Sequence, residues 1–229
     1  MCFIVSEQVL TTKLPIQWLE YNLDAYHESL FSDFGIKKPA QLSTWVIKRQ
    51  AQFLAGRIAA EKSLPDQYKQ LAIGIGNHRE PLWPKGLVGS ISHDNNVSIA
   101  ASQQAHVCGG VGIDLQSLFD SNECNKSFPH ILSTSDHQLF KRGITGFTNE
   151  QLITLIFSAK ECFFKAIFNQ VGDFFDFNVV SIQSINSRLK TISITNDRQL
   201  SDRLGKGQDY TIDYKWINNK NTIITTLKL

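Results

Sequence analysis

The sequence GIDLQ occupies residues 112–116, directly after an apolar run, and FSAKECFFKA occupies residues 157–166. The first stretch is typical of a strand that ends in a carboxylate, Asp114, and the second of a helix that carries Glu161 and Lys165. Glu161 and Lys165 are four residues apart, so they share one helix face. Carboxylates from two separate elements can bind one hard cation such as Mg²⁺, which keeps waters and substrate phosphates as further ligands. A metal with a lysine beside it is what a phosphoryl-transfer site requires.

The first half of the chain contains one long segment with helical spacing of its apolar residues. This spacing predicts a helix over Leu42–Leu64, with Ser43 as its N-cap and Pro65 after its end. Short apolar segments with turn-rich boundaries follow, and residues 94–96 predict a turn between two of them. The predicted strands are Leu71–Ile75, Leu87–Ile91, Val97–Ala101 and Val107–Leu115.

The second half follows a similar plan. Thr148 and Gln151 resemble a capping box and predict a helix from about Asn149 to Asn169, which Gly172 would terminate. The polar link from about Leu118 to Phe147 is interpreted as loops and short helices where a partner could dock. The predicted strands of this half are Val179–Ile185, Thr191–Thr195, Tyr210–Trp216 and Thr222–Leu227.

The order of helix and then strands therefore occurs twice, and the predicted fold class is α/β (α+β) with two halves. We expect residues 1–117 to form the N-terminal half and residues 118–229 the C-terminal half, together in one compact unit. A chain of this length can bury one good core or two small fused halves. Residues 218–221 predict a hairpin turn between the last two strands.

Composition excludes several classes of protein. The chain is 42% apolar and 19% charged, as in ordinary soluble globular proteins, and its net charge of +2 is too small to indicate a nucleic-acid partner. The four cysteines form no Cys-x-x-Cys pair, so we expect no zinc site. We recognise neither a signal peptide nor an apolar run long enough to span a bilayer, and we expect cytoplasmic residence with reduced thiols.

Five motifs in a fixed order, spread from Trp45 to about Lys165, are far more specific than any one of them. They are KRQAQFLAGR at Lys48–Arg57, REPLWP at Arg79–Pro84, GSISH at Gly89–His93, GID at Gly112–Asp114 and SAKE at Ser158–Glu161. In this order they resemble the 4′-phosphopantetheinyl transferases of the surfactin/enterobactin type, in particular the enterobactin-synthase component D branch. The resemblance implies two similar helix-plus-antiparallel-sheet halves in a pseudo-twofold arrangement, with the active site between them.

The resemblance also implies the reaction. The 4′-phosphopantetheine arm of coenzyme A would be transferred, with Mg²⁺, to a serine of an apo acyl, peptidyl or aryl carrier protein, releasing adenosine 3′,5′-bisphosphate. The branch suggests siderophore or other nonribosomal peptide synthesis. We expect the protein to be a monomer. Two alternatives are a non-catalytic module that binds coenzyme A or a carrier protein, and another Mg²⁺-dependent phosphotransferase. The sequence lacks the Gly-x-x-x-x-Gly-Lys-[Ser/Thr] loop that such a phosphotransferase would be expected to carry, which argues against the second alternative.

The candidate metal ligands are Asp114, Gln116 and Glu161. Glu161 is also the candidate base, and Lys165 is the candidate cation at the pyrophosphate. Many relatives carry glutamate where this chain has Gln116, which can ligate through its carbonyl oxygen, hold a metal-bound water, or be a bystander at a strand end. Considered singly, Asp114 could cap a turn, and Glu161 and Lys165 could form a surface pair. The resemblance also implies that Lys160 binds coenzyme A, because relatives place a lysine at this position near the coenzyme A phosphates. Compared with Lys165, Lys160 has the higher chance of being merely an exposed residue.

The basic candidates lie in the first half. The resemblance implies that Ser92 and His93 meet the 3′-phosphate of coenzyme A, and no Gly-x-Ser-x-Gly elbow supports a hydrolase instead. Arg49 and Arg57 are eight residues apart and share a helix face, which is either a phosphate-binding face or a solvated one. Arg79 resembles the basic residue that lies along the adenosine part of coenzyme A.

Overall fold

The computed structural model describes residues 2–217 and 221–229, without the side chains of residues 125–129. The chain forms two compact units: unit 1 comprises Met1–Val111 with Lys228–Leu229, and unit 2 comprises Gly112–Leu227. The predicted halves, 1–117 and 118–229, assign the strand at 111–117 to the first half. In the structure this strand belongs to the sheet of unit 2, because it is hydrogen-bonded to the last strand of the chain.

Unit 1 contains a four-stranded sheet in the order β1-β2-β6-β5, in which every neighbouring pair is antiparallel, and a small antiparallel pair, β3-β4. Its helix α2 packs on the larger sheet, and small residues such as Ala55 and Ala59 allow close contact with Leu19 and Ala100. The elements are β1 Ile4–Leu10, β2 Ile16–Tyr21, α1 Leu30–Asp33, α2 Ile47–Ser63, β3 Gly74–Ile75, β4 Pro81–Leu82, β5 Leu87–Asp94 and β6 Val97–Gln104.

The start of α2 differs from its prediction. Ser43 is not the N-cap, because Leu42–Thr44 form a separate 3₁₀ turn and the cap residue is the extended Val46. The ring of Trp45, in the extended link between the two, packs edge-on against Phe53 with centroids 5.5 Å apart. The aromatic contact therefore holds the link outside the helix.

The strands of unit 1 were only partly predictable. Of the strand predicted at 71–75, only Gly74–Ile75 is formed. The prediction omitted β1 and β2. Val5 and Val9 of β1 are exposed, so the apolar residues of that strand do not mark a buried face. The turn predicted at 94–96 is confirmed, with Asn95 at a φ of 49°.

Unit 2 contains a five-stranded sheet in the order β7-β11-β10-β9-β8, with antiparallel pairing from β8 to β11, and three α-helices among its described residues. The two helices α3 and α4 occupy the link predicted to contain short helices. The elements are β7 Val111–Ser117, α3 Ser121–Ile131, α4 Thr134–Arg142, α5 Asn149–Val171, β8 Val180–Asn186, β9 Thr191–Asn196, β10 Asp209–Ile217 and β11 Thr222–Lys228. The turn predicted at 218–221 lies, except for Asn221, outside the described residues.

Helix α5 confirms its prediction closely. Thr148 and Gln151 form the reciprocal capping box, and Gly172 ends the helix with a φ of 76°, a conformation that favours glycine. The apolar residues that recur at helical spacing along α5 are buried, namely Leu152, Leu155, Ile156, Ala159, Phe163 and Ile167. The fold class is also confirmed, since both units combine helices with antiparallel sheets. Over the described residues, the structure contains no helix whose length and apolarity would allow it to cross a bilayer.

Candidate active site

Strand β7 and helix α5 approach each other closely at Gly112. A Cβ atom at this position would lie 1.9 Å from the carbonyl oxygen of Cys162, so no other residue fits without a shift of the backbone. The thiol of Cys162 in turn donates a hydrogen bond to the carbonyl oxygen of Gly112, with an S–O distance of 3.2 Å. Alternate residues of a strand point to the same face. Asp114 therefore lies on the same face of β7 as Gly112, which is the face that packs against α5.

The carboxylate of Asp114 is nearly buried and is held by two side chains of α5. Its Oδ2 accepts a hydrogen bond of 2.8 Å from the hydroxyl of Ser158, and its Oδ1 accepts one of 2.7 Å from Nζ of Lys165. Thr225 of β11 donates to the carbonyl oxygen of Ser158 and supports the same turn of α5. The carboxylate is therefore fixed in orientation before any ligand binds.

Glu161 completes a cluster of two carboxylates around one ammonium. Nζ of Lys165 lies 3.9 Å from Oε2 of Glu161 as well as 2.7 Å from Asp114. The side chains of Glu161 and Lys165 are 28% and 23% exposed, whereas that of Asp114 is 6% exposed. The cluster is thus open to solvent on the side of Glu161 and Lys165 and closed on the side of Asp114.

The cluster shifts the pKa values of both exposed members. Burial raises the pKa of the Glu161 carboxyl, with Lys165 opposing the shift and the charge of Asp114 adding to it. Burial alone would lower the pKa of the Lys165 ammonium, but the charges of Asp114 and Glu161 outweigh burial and raise it. When both carboxyl groups are ionised, the two carboxylates and one ammonium leave one net negative charge, which favours binding of a further cation.

Gln116 follows Asp114 on the same face of β7. Its Nε2 donates a 3.0 Å hydrogen bond to the carbonyl oxygen of Ser117, so its Oε1 is the atom that can accept a bond or ligate a cation. Within residues 2–217 and 221–229, the structure groups no three His, Cys, Asp or Glu side chains that could hold a metal. Two carboxylates and one amide oxygen are nevertheless a suitable set for Mg²⁺, which binds one or two carboxylates and fills its other positions with waters and substrate phosphates.

Lys160 does not belong to this cluster. Its side chain is fully buried, and its Nζ donates to Asp136 and to the carbonyl oxygens of Ile131 and Phe177. The interpretation of Lys160 as an exposed residue is therefore wrong. The sequence shows only a lysine on an amphipathic helix, and the partner that explains its burial, Asp136, is twenty-four residues away.

Unit 1 brings together three of the basic residues predicted to bind a phosphate. Arg49 donates a 2.7 Å hydrogen bond to Nε2 of His93, which places the ring proton of His93 on Nδ1. Desolvation, and then the nearby charge of Arg79, lowers the pKa of Arg49. The guanidinium of Arg79 also lies 5.9 Å from the ring of Trp45. We call Arg49, Arg79 and His93 the basic cluster of unit 1.

The other two residues predicted for this site are buried. Ser92 is adjacent to His93 in β5, so its side chain points to the opposite face of the strand. Arg57 lies over the ring of Phe53 at 4.9 Å and donates to the carbonyl oxygen of Ile73, and burial lowers its pKa to about 10.

A pocket of 380 Å³ adjoins Arg57. Lys37, Lys38 and Glu61 also line it, and sequence reasoning did not identify these three residues. The adjacent lysines at 37 and 38 were the available signal, but they carry no motif of their own.

Two family models match successive parts of this chain. Residues 38–103 match the family described as the 4′-phosphopantetheinyl transferase N-terminal domain, and residues 110–215 match the 4′-phosphopantetheinyl transferase superfamily. The enterobactin synthase component D of Salmonella typhi is 30% identical over 178 residues, which cover 78% of this chain and 71% of that protein. The chain belongs to the 4′-phosphopantetheinyl transferase superfamily.

Two further relatives extend the comparison. The enterobactin synthase component D of Escherichia coli (strain K12) is 32% identical over 62% of this chain and 66% of that protein. The 4′-phosphopantetheinyl transferase Npt of Nocardia iowensis is 30% identical over 53% of each chain. The protein is thus an enzyme of this superfamily, which implies coenzyme A as its substrate and a carrier protein as its partner.

Proposed function

We propose that this phosphopantetheinyl transferase moves the 4′-phosphopantetheine arm of coenzyme A to a serine hydroxyl of an apo acyl, peptidyl or aryl carrier protein, in a Mg²⁺-dependent reaction. The observation that carries the proposal is the open cluster of Asp114, Glu161 and Lys165. It combines oxygen ligands for a hard cation with a fixed ammonium, in a chain of this superfamily.

Asp114 and Glu161, with Oε1 of Gln116 directly or through a water, would hold the Mg²⁺. When bound, the metal would neutralise charge on the pyrophosphate of coenzyme A. Lys165 is held by Asp114 and would place its ammonium against the same phosphates. These groups stabilise charge and position the substrate, which is most of what phosphoryl transfer requires of a protein.

The serine nucleophile belongs to the carrier protein. Its oxygen forms a bond to the phosphorus that bears the pantetheine arm, and the bond from that phosphorus to adenosine 3′,5′-bisphosphate breaks. We assign the serine proton to Glu161, directly or through one water. The side chain of Glu161 is 28% exposed, whereas that of Asp114 is 6% exposed, so Glu161 is the carboxylate that an incoming serine hydroxyl can reach.

The basic cluster of unit 1 is assigned, in the same proposal, to the 3′-phosphate end of coenzyme A. Arginine fits phosphate oxygens with two parallel hydrogen bonds, and the contact between Arg49 and His93 holds both side chains ready for an anion. Arg57 is a further candidate for binding coenzyme A, because its side chain is buried beside a pocket of 380 Å³. For Ser92 the binding role stays a prediction.

The relatives suggest where the reaction is used. Two of them are named enterobactin synthase component D, so we propose that the carrier proteins of this chain serve siderophore or other nonribosomal peptide synthesis.

Intact-mass spectrometry of a panel of apo acyl, peptidyl and aryl carrier proteins tests the proposal. Each carrier is incubated with the protein, coenzyme A and Mg²⁺, with a chelator in the control reaction. We expect at least one carrier to gain the mass of one phosphopantetheine arm on serine, and the chelator to abolish the gain. If coenzyme A binds but no carrier is modified, the chain is a binding module and the proposal is wrong.

A further inference from the structure

The side chain of Lys160 makes a complete set of hydrogen bonds inside unit 2. Its ammonium donates to Oδ2 of Asp136 at 2.5 Å, to the carbonyl oxygen of Ile131 at 2.9 Å and to that of Phe177 at 3.0 Å. An ammonium has three N–H groups, so these acceptors use all of them. No donor is left for a phosphate of coenzyme A.

The carboxylate of Asp136 is equally well satisfied. Its Oδ1 accepts a 2.7 Å hydrogen bond from the backbone N–H of Ile182, and its Oδ2 accepts one of 2.8 Å from the backbone N–H of Ser133. Both charged side chains are fully buried. A buried ion pair is tolerated only when both charged groups are fully hydrogen-bonded, because burial removes the hydrogen bonds that each group would otherwise make to water.

The pair and its partners lie on four helices and strands, and Phe177 adds the 3₁₀ turn Phe177–Val179. Lys160 is on α5, Ile131 ends α3, Asp136 is in the first turn of α4, and Ile182 is in β8. The pair therefore connects one side of α5 to α3, α4 and the sheet edge. Consecutive helix residues point about 100° apart. A fixed Lys160 thus determines the direction in which its neighbour, Glu161, projects.

We propose that Lys160 is a positioning residue. Its buried pair with Asp136 fixes the rotation of α5, so that Glu161 is held beside Lys165 and Asp114, and Lys160 itself does not touch coenzyme A. The inference rests on the proposed function for the role of Glu161, whereas the anchoring of Lys160 can be tested without any activity.

Acetylation of the wild-type protein with an N-hydroxysuccinimide ester, followed by peptide mass spectrometry, tests the anchor directly. The exposed Lys206 and Lys215 should react readily, and Lys160 should stay unmodified with or without coenzyme A. Reaction of Lys160 at the rate of Lys206, with protection by coenzyme A, would overturn the proposal. If coenzyme A protects Lys165 from acetylation, this result supports the proposed substrate site independently of the result for Lys160.

Variants test the positioning role. Lys160→Met and Asp136→Asn should each lower kcat about a hundredfold, because a small displacement of Glu161 is enough for such a loss. The double variant should be no worse than either single one, since all three remove the same anchor. The affinity for coenzyme A, measured by calorimetry, should change by no more than about threefold in each. Ser135→Ala, which removes a nearby hydroxyl and keeps the pair, is the matched control and should transfer normally.

The outcomes separate the two claims. A loss of coenzyme A affinity of more than about tenfold in Lys160→Met, but not in Asp136→Asn, would place Lys160 in the binding site and contradict the proposal. Unchanged kcat in folded single variants would contradict it too. Should the single variants not fold, the acetylation of the wild-type protein still decides whether Lys160 is buried or binds the substrate. A wild-type protein that modifies no carrier would instead count against the proposed function.

Discussion

Lys160 and Lys165 lie five residues apart on α5, and each contacts an aspartate, yet their surroundings are opposite. Lys160 is fully buried, and all of its donors are used by one carboxylate and two carbonyl groups. Lys165 is 23% exposed and lies beside two carboxylates, Asp114 and Glu161, so the group as a whole carries excess negative charge. A closed, saturated pair is suited to fixing a structure, whereas an open cluster with unbalanced charge is suited to binding another charged group.

The largest expected loss of activity concerns the open cluster of Asp114, Glu161 and Lys165, as opposed to the buried pair of Lys160 and Asp136. Asp114→Asn keeps the shape of the side chain but removes the anionic oxygen from the open cluster. We expect transfer to the carrier protein to fall by about a thousandfold, the upper end of the loss typical of a removed charge-stabilising group. The stability of the fold, followed by thermal melting, should change little.

The exposed Asp202 provides the control, because Asp202→Asn removes the same charge from an exposed turn of the same unit. Full transfer activity in folded Asp114→Asn would remove the open cluster from the mechanism and with it the contrast between the two lysines.

Lys165→Met should have the next largest effect. Without the ammonium, the substrate phosphates lose one of the two positive charges proposed for this site, Lys165 and Mg²⁺. We therefore expect kcat/KM for coenzyme A to fall by about a hundredfold. Steady-state rates over a range of coenzyme A concentrations measure this, with Lys215→Met as the control for loss of one positive charge. Equal rates for both variants would mean that Lys165 is only an intrahelical partner of Glu161.

The basic cluster of unit 1 tests whether a second open cationic group behaves as Lys165 does. Coenzyme A should bind more tightly than 3′-dephospho-coenzyme A by about 1.5–3 kcal/mol, the range for a hydrogen bond to a charged group. The difference should shrink in His93→Ala and persist in His106→Ala, where an exposed histidine of the same unit is removed.

Calorimetry with the two ligands on the three proteins gives the comparison. A gap that is the same with and without His93 would exclude this side chain from the 3′-phosphate, and equal affinities in the wild type would exclude the cluster as a whole.

The smallest effect concerns Gln116. If its Oε1 or a water held by it contributes to the metal site, Gln116→Glu should stay active and need less Mg²⁺, and Gln116→Ala should need severalfold more. Activity titrated against Mg²⁺ distinguishes the three proteins. Superimposable titration curves would make Gln116 a bystander at the end of β7.

The sequence predicted local features better than distant contacts. The capping box of Thr148 and the terminal Gly172 defined α5 correctly, because both signals lie within one helical turn of the helix ends. The motif around Asp114 and Glu161 indicated two residues that the structure does bring to the same lysine. These predictions depended on patterns that a few neighbouring residues determine.

The errors concern features that distant residues determine. Ser43 looked like a cap, but the packing of Trp45 on Phe53 moves the start of α2 beyond it. Lys160 looked exposed, but Asp136 and two carbonyl groups bury it. A charged residue on a helix shows its role only when its partners are known, and the partners here come from other elements of the fold.

Direct metal binding tests most closely whether β7 and α5 form an open, metal-dependent centre. Mn²⁺, as a paramagnetic substitute for Mg²⁺, is titrated into the protein saturated with coenzyme A while water-proton relaxation is recorded, with coenzyme A alone as the blank. The wild type and Asp202→Asn should each bind one Mn²⁺ ion with the same high affinity. Asp114→Asn should bind Mn²⁺ at least about tenfold more weakly. Equal Mn²⁺ affinity in the wild type and in folded Asp114→Asn would contradict the account.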